Sequence, residues 1–221
     1  RLEARRIVVR LLDIAQQSGF DLSQARARML EGMIHVGEGK SRLAEKSFSE
    51  AEEIFRAQKS ERDLVYLYIE HGMLQLLEGR HEEAYLQFEE GVYLAKKLNL
   101  EYMKIRFLYA LGLFEIATIP DGTLSKAESR LLSAERLASK VPFNEILWQI
   151  QSQIGRVCEL TGRPEAAAEY KEKARVSHDA TLESIPSTHS NAYSKVSVDA
   201  DLDRLLEDKC ALLMESQLVQ V

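Results

Sequence analysis

The stretch Gly32–Ala51, GMIHVGEGKSRLAEKSFSEA, returns forty residues later as Gly72–Gly91, GMLQLLEGRHEEAYLQFEEG. The two share their first glycine and a second one seven residues on, Gly39 and Gly79. Twelve residues after the start stand Ala44 and Ala84, sixteen after stand Phe48 and Phe88, and nineteen after stand Ala51 and Gly91. Gly112 opens a third copy at the same interval, and Gly155 a fourth, with Gly162, Ala167 and Ala174 at plus seven, twelve and nineteen. Self-similarity at this spacing marks a stack of supersecondary units. It also places function on a surface built across repeats rather than in one compact site.

Each repeat reads as two helices. In the second, Leu64, Leu67, Tyr68 and His71–Leu74 keep helical spacing up to a turn at Glu78-Gly79-Arg80, and Ala84, Phe88, Val92 and Ala95 resume it. The plus-seven glycine suits the left-handed position that ends many helices. A glycine inside a helix costs about 1 kcal/mol against alanine, so recurrence at Gly32, Gly72, Gly112 and Gly155 predicts a gain elsewhere: two helix backbones approaching closely. The third repeat slips. Ile119 stands where its turn glycine is expected, and IPDGTLS inserts three residues before Ala127, Leu131 and Ala134 restore the register. At the other end, Ala4, Val8, Leu11 and Ala15 lie forty before Ala44, Phe48, Ala51 and Phe55. Residues 1–18 therefore read as the second helix of a pair lacking its first, in a chain cut from a longer array. Repeats follow at 22–60, 61–100, 101–141 and 144–185, then a Ser/Thr/Asn-rich linker at 186–198 and a capping or connecting helix at 199–218, with Leu202, Leu206, Cys210 and Leu213 on one stripe.

A small residue and glycine in the first helix, glycine at the turn, then alanine, an aromatic and alanine in the second, resembles the tetratricopeptide repeat (TPR). Its usual unit has about 34 residues, so a period of forty implies longer helices or connections. The resemblance covers roughly residues 1–178, with Lys171 replacing the aromatic in the fourth repeat. It implies an all-α fold, a right-handed superhelical solenoid of antiparallel helix pairs, here with a C-terminal extra helix. It also implies that first helices line a concave groove, at positions three before the internal glycine and one and four after it. These are Met29, Met33 and Val36, then Ile69, Met73 and Leu76, then Tyr109, Leu113 and Ile116. The fourth set, Ser152, Arg156 and Glu159, is polar. TPRs that clamp a C-terminal carboxylate use Lys, Asn and Arg there, so that subfamily is excluded. Two readings of the nine apolar residues stay open. They form a docking groove for an amphipathic helix or apolar peptide, where methionine adapts readily, or they are core.

Chemistry is sparse. GEGKS at Gly37–Ser41 has Ile34 where a phosphate-binding loop needs glycine, and it sits in a helical turn rather than after a strand. The five histidines and two cysteines show no metal-ligand spacing, and the acidic pairs Glu52-Glu53, Glu82-Glu83 and Glu89-Glu90 read as solvated helix faces. Neither catalysis nor a cofactor nor a metal is expected. A net charge of −6 gives no basic face for nucleic acid. Two unpaired cysteines fit a reducing cytoplasm, and no stretch reaches the length of a membrane span. The expectation is a non-catalytic protein–protein interaction scaffold. Its partner is another protein, a peptide or other domains of the same longer chain, with the last helix offering a homodimer contact. The alternative is the regulatory or sensor TPR region of a larger bacterial signalling ATPase, kinase or transcription regulator.

Overall fold

Helices begin at residues 21, 41, 61, 81 and 101 in the computed structural model, which describes residues 2–118, 124–141 and 145–184. The order is α1 (Leu2–Ser18), α2 (Asp21–Gly37), α3 (Ser41–Ala57), α4 (Glu61–Leu77), α5 (His81–Lys97), α6 (Glu101–Thr118), α7 (Ser125–Ala138), α8 (Leu147–Leu160) and α9 (Pro164–Ser184). No strand occurs among the described residues. The inserted turn of the third repeat, the linker and the C-terminal helix expected at 199–218 lie outside them.

The strict start positions come from the connections. Each of α1–α5 has 17 residues. Between them a residue with positive φ recurs every twenty: Gly19 at +66°, Gly39 at +70°, Lys59 at +52°, Gly79 at +75° and Asn99 at +53°. At Gly39 the amide donates to the Val36 carbonyl at 2.9 Å, and the Lys40 amide reaches back to His35 at 2.9 Å. Lys59 with Ser60, Gly79 with Arg80, Asn99 with Leu100 and Gly162 with Arg163 repeat that pair of bonds. Such a Schellman arrangement satisfies carbonyls a helix end would otherwise orphan. The forty-residue period is therefore two twenty-residue halves, and the excess over an ordinary TPR is shared between both helices.

The chain forms two compact units, Arg1–Met103 and Lys104–Val221, with the division falling inside α6. In the N-terminal unit each of α1–α5 packs on its neighbours in order, and α2 also touches α4. In the C-terminal unit α7 packs on α8 and α8 on α9. Helix α4 is buried over most of its surface between Asp63 and Leu76, because helices lie on several sides of it, and one side remains open at Tyr66, Glu70 and Met73.

The internal glycines act differently from expectation. A Cβ on Gly72 would lie 2.5 Å from Phe88 Cε1, and one on Gly32 would lie 2.6 Å from Phe48 Cδ1. On Gly112 it would lie 2.7 Å from Leu131 Cδ2. In these three repeats the glycine is a socket for the plus-sixteen side chain, displaced by three in the third repeat, and not a point of backbone contact. Gly112 also has the Ala127 carbonyl oxygen 3.6 Å from an added Cβ, and at Gly155 the nearest atoms are Ala167 O and Tyr170 Cβ, each at 3.4 Å. The rest of the signature behaves as core: Ala44, Phe48, Ala84, Phe88, Ala127 and Ala167 are buried.

Candidate interaction surface

The nine residues expected to line a groove separate into two groups. Ile69, Leu76, Tyr109, Leu113 and Ile116 are buried. Met29, Val36 and Met73 are half-buried, and Met33 is 39% exposed. A continuous groove over three repeats is thus corrected: the residues three before and four after the glycine turn inward on α4, and all three positions do so on α6. Their burial follows from packing on these helices, which leaves no apolar stripe turned to solvent at those positions. Of the fourth set, Ser152 and Glu159 are exposed and Arg156 is half-buried, with Glu159 paired to Lys171.

The open face of the first helices in the N-terminal unit lies one position away. On α2 it runs Arg26, Leu30, Met33 and Gly37, and on α4 it runs Arg62, Tyr66, Glu70, Met73 and Leu77. These intervals of three and four residues define one side of a helix. Leu30 is 38% exposed and Tyr66 36%. Helices α2 and α4 touch. The signal was present in the sequence as residues 26 and 66, 30 and 70, 33 and 73, each forty apart. Arg26 is not free to meet a ligand squarely, because its guanidinium donates to both Asp63 carboxylate oxygens, at 2.8 and 2.9 Å.

Beneath this face lies a polar core that the sequence did not reveal. His71, nearly fully buried, has Nε2 3.1 Å from Glu45 and Nδ1 3.6 Å from Glu52. Arg80 donates to both oxygens of Glu45, at 3.2 and 2.5 Å, and Arg56 donates to Glu52 at 2.9 Å. The charges alternate, Arg80–Glu45–His71–Glu52–Arg56. Gln75 and Gln87 each bring an amide nitrogen to 3.3 Å from a His71 ring nitrogen, while their buried carbonyl oxygens have no hydrogen-bond partner. Rotating both amides by 180° keeps their shape and turns their carbonyl oxygens toward the ring nitrogens, beside the Glu45 and Glu52 carboxylates that already face them. Burial opposes a charge on His71, but hydrogen bonds accepted by the Glu52 and Glu45 carboxylates outweigh it, and its pKa is raised. Burial pushes Glu45 upward, which Arg80 and His71 reverse, so its pKa is lowered. Glu52 is lowered chiefly by His71. Tyr68 donates to Glu90 at 3.2 Å, and burial with that carboxylate beside it pushes the phenol well above its ordinary range.

This cluster joins α3, α4 and the start of α5, and it has structural character. Among the described residues no group of three or more His, Cys, Asp or Glu is arranged to hold a metal. Cys158 is buried, and burial raises its thiol pKa, the condition of an unreactive thiol. In the C-terminal unit an open depression is lined by Gln151, Glu169, Glu172, Lys173, Val176 and Ser177. Among the described residues no helix is long and apolar enough to cross a membrane.

Solved structures share this architecture. The crystal structure of BtubC (BKLC) from P. vanneervenii superposes with a TM-score of 0.65 at 15% identity, covering 83% of this chain and 89% of that one. The apo form of RapI superposes with a TM-score of 0.58 at 19% identity, covering 81% of this chain and 64% of RapI. The fold is a TPR-like helical repeat. At these identities the likeness extends to fold alone. No family model matches the chain, and no curated protein matches its sequence.

Proposed function

We propose that the chain is a non-catalytic protein-interaction module whose docking surface is the open α2/α4 face. One observation carries the reading: Leu30, Met33 and Tyr66 stand exposed, with Met73 and Leu77 half-exposed beside them, on helices that touch. Exposed apolar side chains grouped together mark interaction sites more than singly scattered ones do. The occupant that fits is an amphipathic helix, its apolar stripe laid across Met33 and Tyr66 and a carboxylate placed to meet the exposed Arg62. Methionine at two of the contacts lets the surface repack around its partner.

The test is selection of helical peptides from a display library on the immobilised chain, followed by titration against variants. Met33→Glu with Tyr66→Glu should abolish binding of the selected peptides while helicity and melting temperature stay unchanged. Leu86→Glu with Tyr93→Glu, two exposed positions on α5, should leave binding intact. Peptides that bind both variants equally would sink the assignment to this face.

A further inference from the structure

Counted from each internal glycine, the positions fourteen and twenty-one residues on face solvent in every repeat, the third again displaced by three. They are Lys46 and Glu53 on α3, Ser129 and Arg136 on α7, and Glu169 and Val176 on α9. The packing asks for no apolar residue there. On α5, however, both are large and apolar: Leu86 is 61% exposed and Tyr93 64%. Seven residues apart, they stand two turns from one another on one side of the helix. The buried stripe of α5, with Ala84, Phe88, Val92 and Ala95, is a separate one. Apolar side chains grouped on a face that the fold leaves to polar residues mark contact with another molecule. Charge is arranged about the same centre. Glu82 and Glu83 open α5, Lys96 and Lys97 close it, and all four are exposed. Glu82 to Lys97, like Leu86 to Tyr93, is centred between Glu89 and Glu90. Acidic first turns and basic last turns suit the helix dipole by themselves. The shared centre adds something else, since it makes the face its own complement under a two-fold rotation.

We propose that this face pairs with the same face of a second copy of the chain, α5 lying antiparallel on α5 across a two-fold axis. Leu86 then meets the partner's Tyr93, and Tyr93 the partner's Leu86. Glu82 and Lys96 lie on one flank of the Leu86–Tyr93 line, and Glu83 and Lys97 on the other. Each acidic residue therefore finds a lysine of the second copy on its own side. Parallel packing would instead set acid against acid at one end and base against base at the other, so charge selects the antiparallel arrangement. Glu90, near the axis, is answered within its own protomer: Arg56 stands 3.5 Å away and the Tyr68 hydroxyl donates to it at 3.2 Å. Glu89, half-buried, also sits near the axis, and the like charge there keeps the contact weak. Lys97 meets Glu61 of α4 at 2.6 Å in an exposed pair, so it exchanges one carboxylate for another at little cost. One helix on one helix is a small interface, which suits a concentration-dependent dimer. The α2/α4 face is not used, so the inference stands apart from the proposed docking function.

Sedimentation equilibrium on the full chain tests it. Wild type should dimerise at about 100 µM, and less so as salt screens the exposed ion pairs. Leu86→Glu with Tyr93→Glu should weaken dimerisation at least tenfold, equivalent to about 1.4 kcal/mol. Circular dichroism should remain that of wild type, because both side chains are exposed. The sharper test exchanges the charges. Glu82→Lys with Glu83→Lys, and separately Lys96→Glu with Lys97→Glu, should each be monomeric alone. Mixed, they should pair, since the first variant brings lysines to both ends of its helix and the second glutamates. A wild type monomeric at that concentration, a dimer untouched by Leu86→Glu with Tyr93→Glu, or exchanged variants that stay monomeric on mixing would each overturn the proposal. So would a dimer that dissolves on Met33→Glu with Tyr66→Glu instead.

Discussion

At Gly72 the space of a missing side chain is filled by the ring of Phe88, whereas at Gly155 the neighbours are a carbonyl oxygen and a Cβ at ordinary contact distance. The residue just before each glycine differs in the same sense. His71 is buried and enclosed by Glu45 and Glu52, while Ile154 is a plain part of an apolar core. The second repeat thus combines an aromatic socket with a buried charge cluster, and the fourth keeps the register with neither. Identical spacing does not imply identical energetics. A repeat signature fixes where helices meet, and the side chains decide whether the meeting is tight, charged or loose.

The comparison can be broken most forcefully at the charge cluster. His71→Leu removes the imidazole that two partly buried carboxylates face and should lower the stability of the N-terminal unit by about 3 kcal/mol, the lower end for losing one member of a buried ion pair. Trp148, the single tryptophan, lies in α8, so its fluorescence reports the C-terminal unit and should change little while far-ultraviolet circular dichroism shows the loss. The same cluster sets a pH window. His71 has a raised folded pKa, so its contribution is complete below its ordinary value of 6.5 and disappears as pH rises through the folded value. Glu45 and Glu52 are lowered, so theirs is complete above their ordinary value of 4.5 and disappears as pH falls through the folded values. Stability of wild type should peak between these limits, and His71→Leu should flatten the alkaline side and also weaken the acid-side dependence, because Glu52 owes its lowered pKa chiefly to His71.

Next in size is Gly72→Ala. Overpacking against Phe88 should cost about 2 kcal/mol despite better helix propensity, and Phe88→Leu in the same chain should recover part of the loss. A Gly72→Ala protein as stable as wild type would refute the socket. Gly155→Ala should go the other way, stabilising by about 0.5–1 kcal/mol, because its surroundings admit a methyl group and alanine favours the helix; the Trp148 transition measures it. Smallest is the exposed ion pair. Arg163 donates to both oxygens of Glu128, each at 2.9 Å, as Arg80 does to Glu45, and both arginines directly follow the turn glycine. Arg163→Ala should move the urea midpoint less than Arg80→Ala, whose carboxylate partner also faces His71.

Fold class was legible because glycine, alanine and phenylalanine at fixed offsets are a direct imprint of helix crossings. The twenty-residue half-period was not, because Lys59 and Asn99 occupy left-handed positions that glycine would have advertised. The socket was half legible: Phe48 and Phe88 stood in the pattern, but spacing alone does not say that a ring points at the glycine rather than beside it. The exposed side of the first helices lies about one position from most of the residues the family's first-helix rule assigns, because packing buries Ile69 and Leu76 on α4 and all three on α6. His71 looked like an isolated histidine because its carboxylate partners come from another helix, 26 and 19 residues earlier in the chain.

The ties between successive helix pairs have a reach that hardly varies. Arg26 to Asp63, Glu45 to Arg80 and Glu128 to Arg163 span 37, 35 and 35 residues. No link in this series asks distant parts of the chain to find each other. Loop closure therefore costs about the same at every step, and folding speed should depend on the local step rather than on overall length. Adding another forty residues in register would lengthen the molecule without making any contact harder to reach.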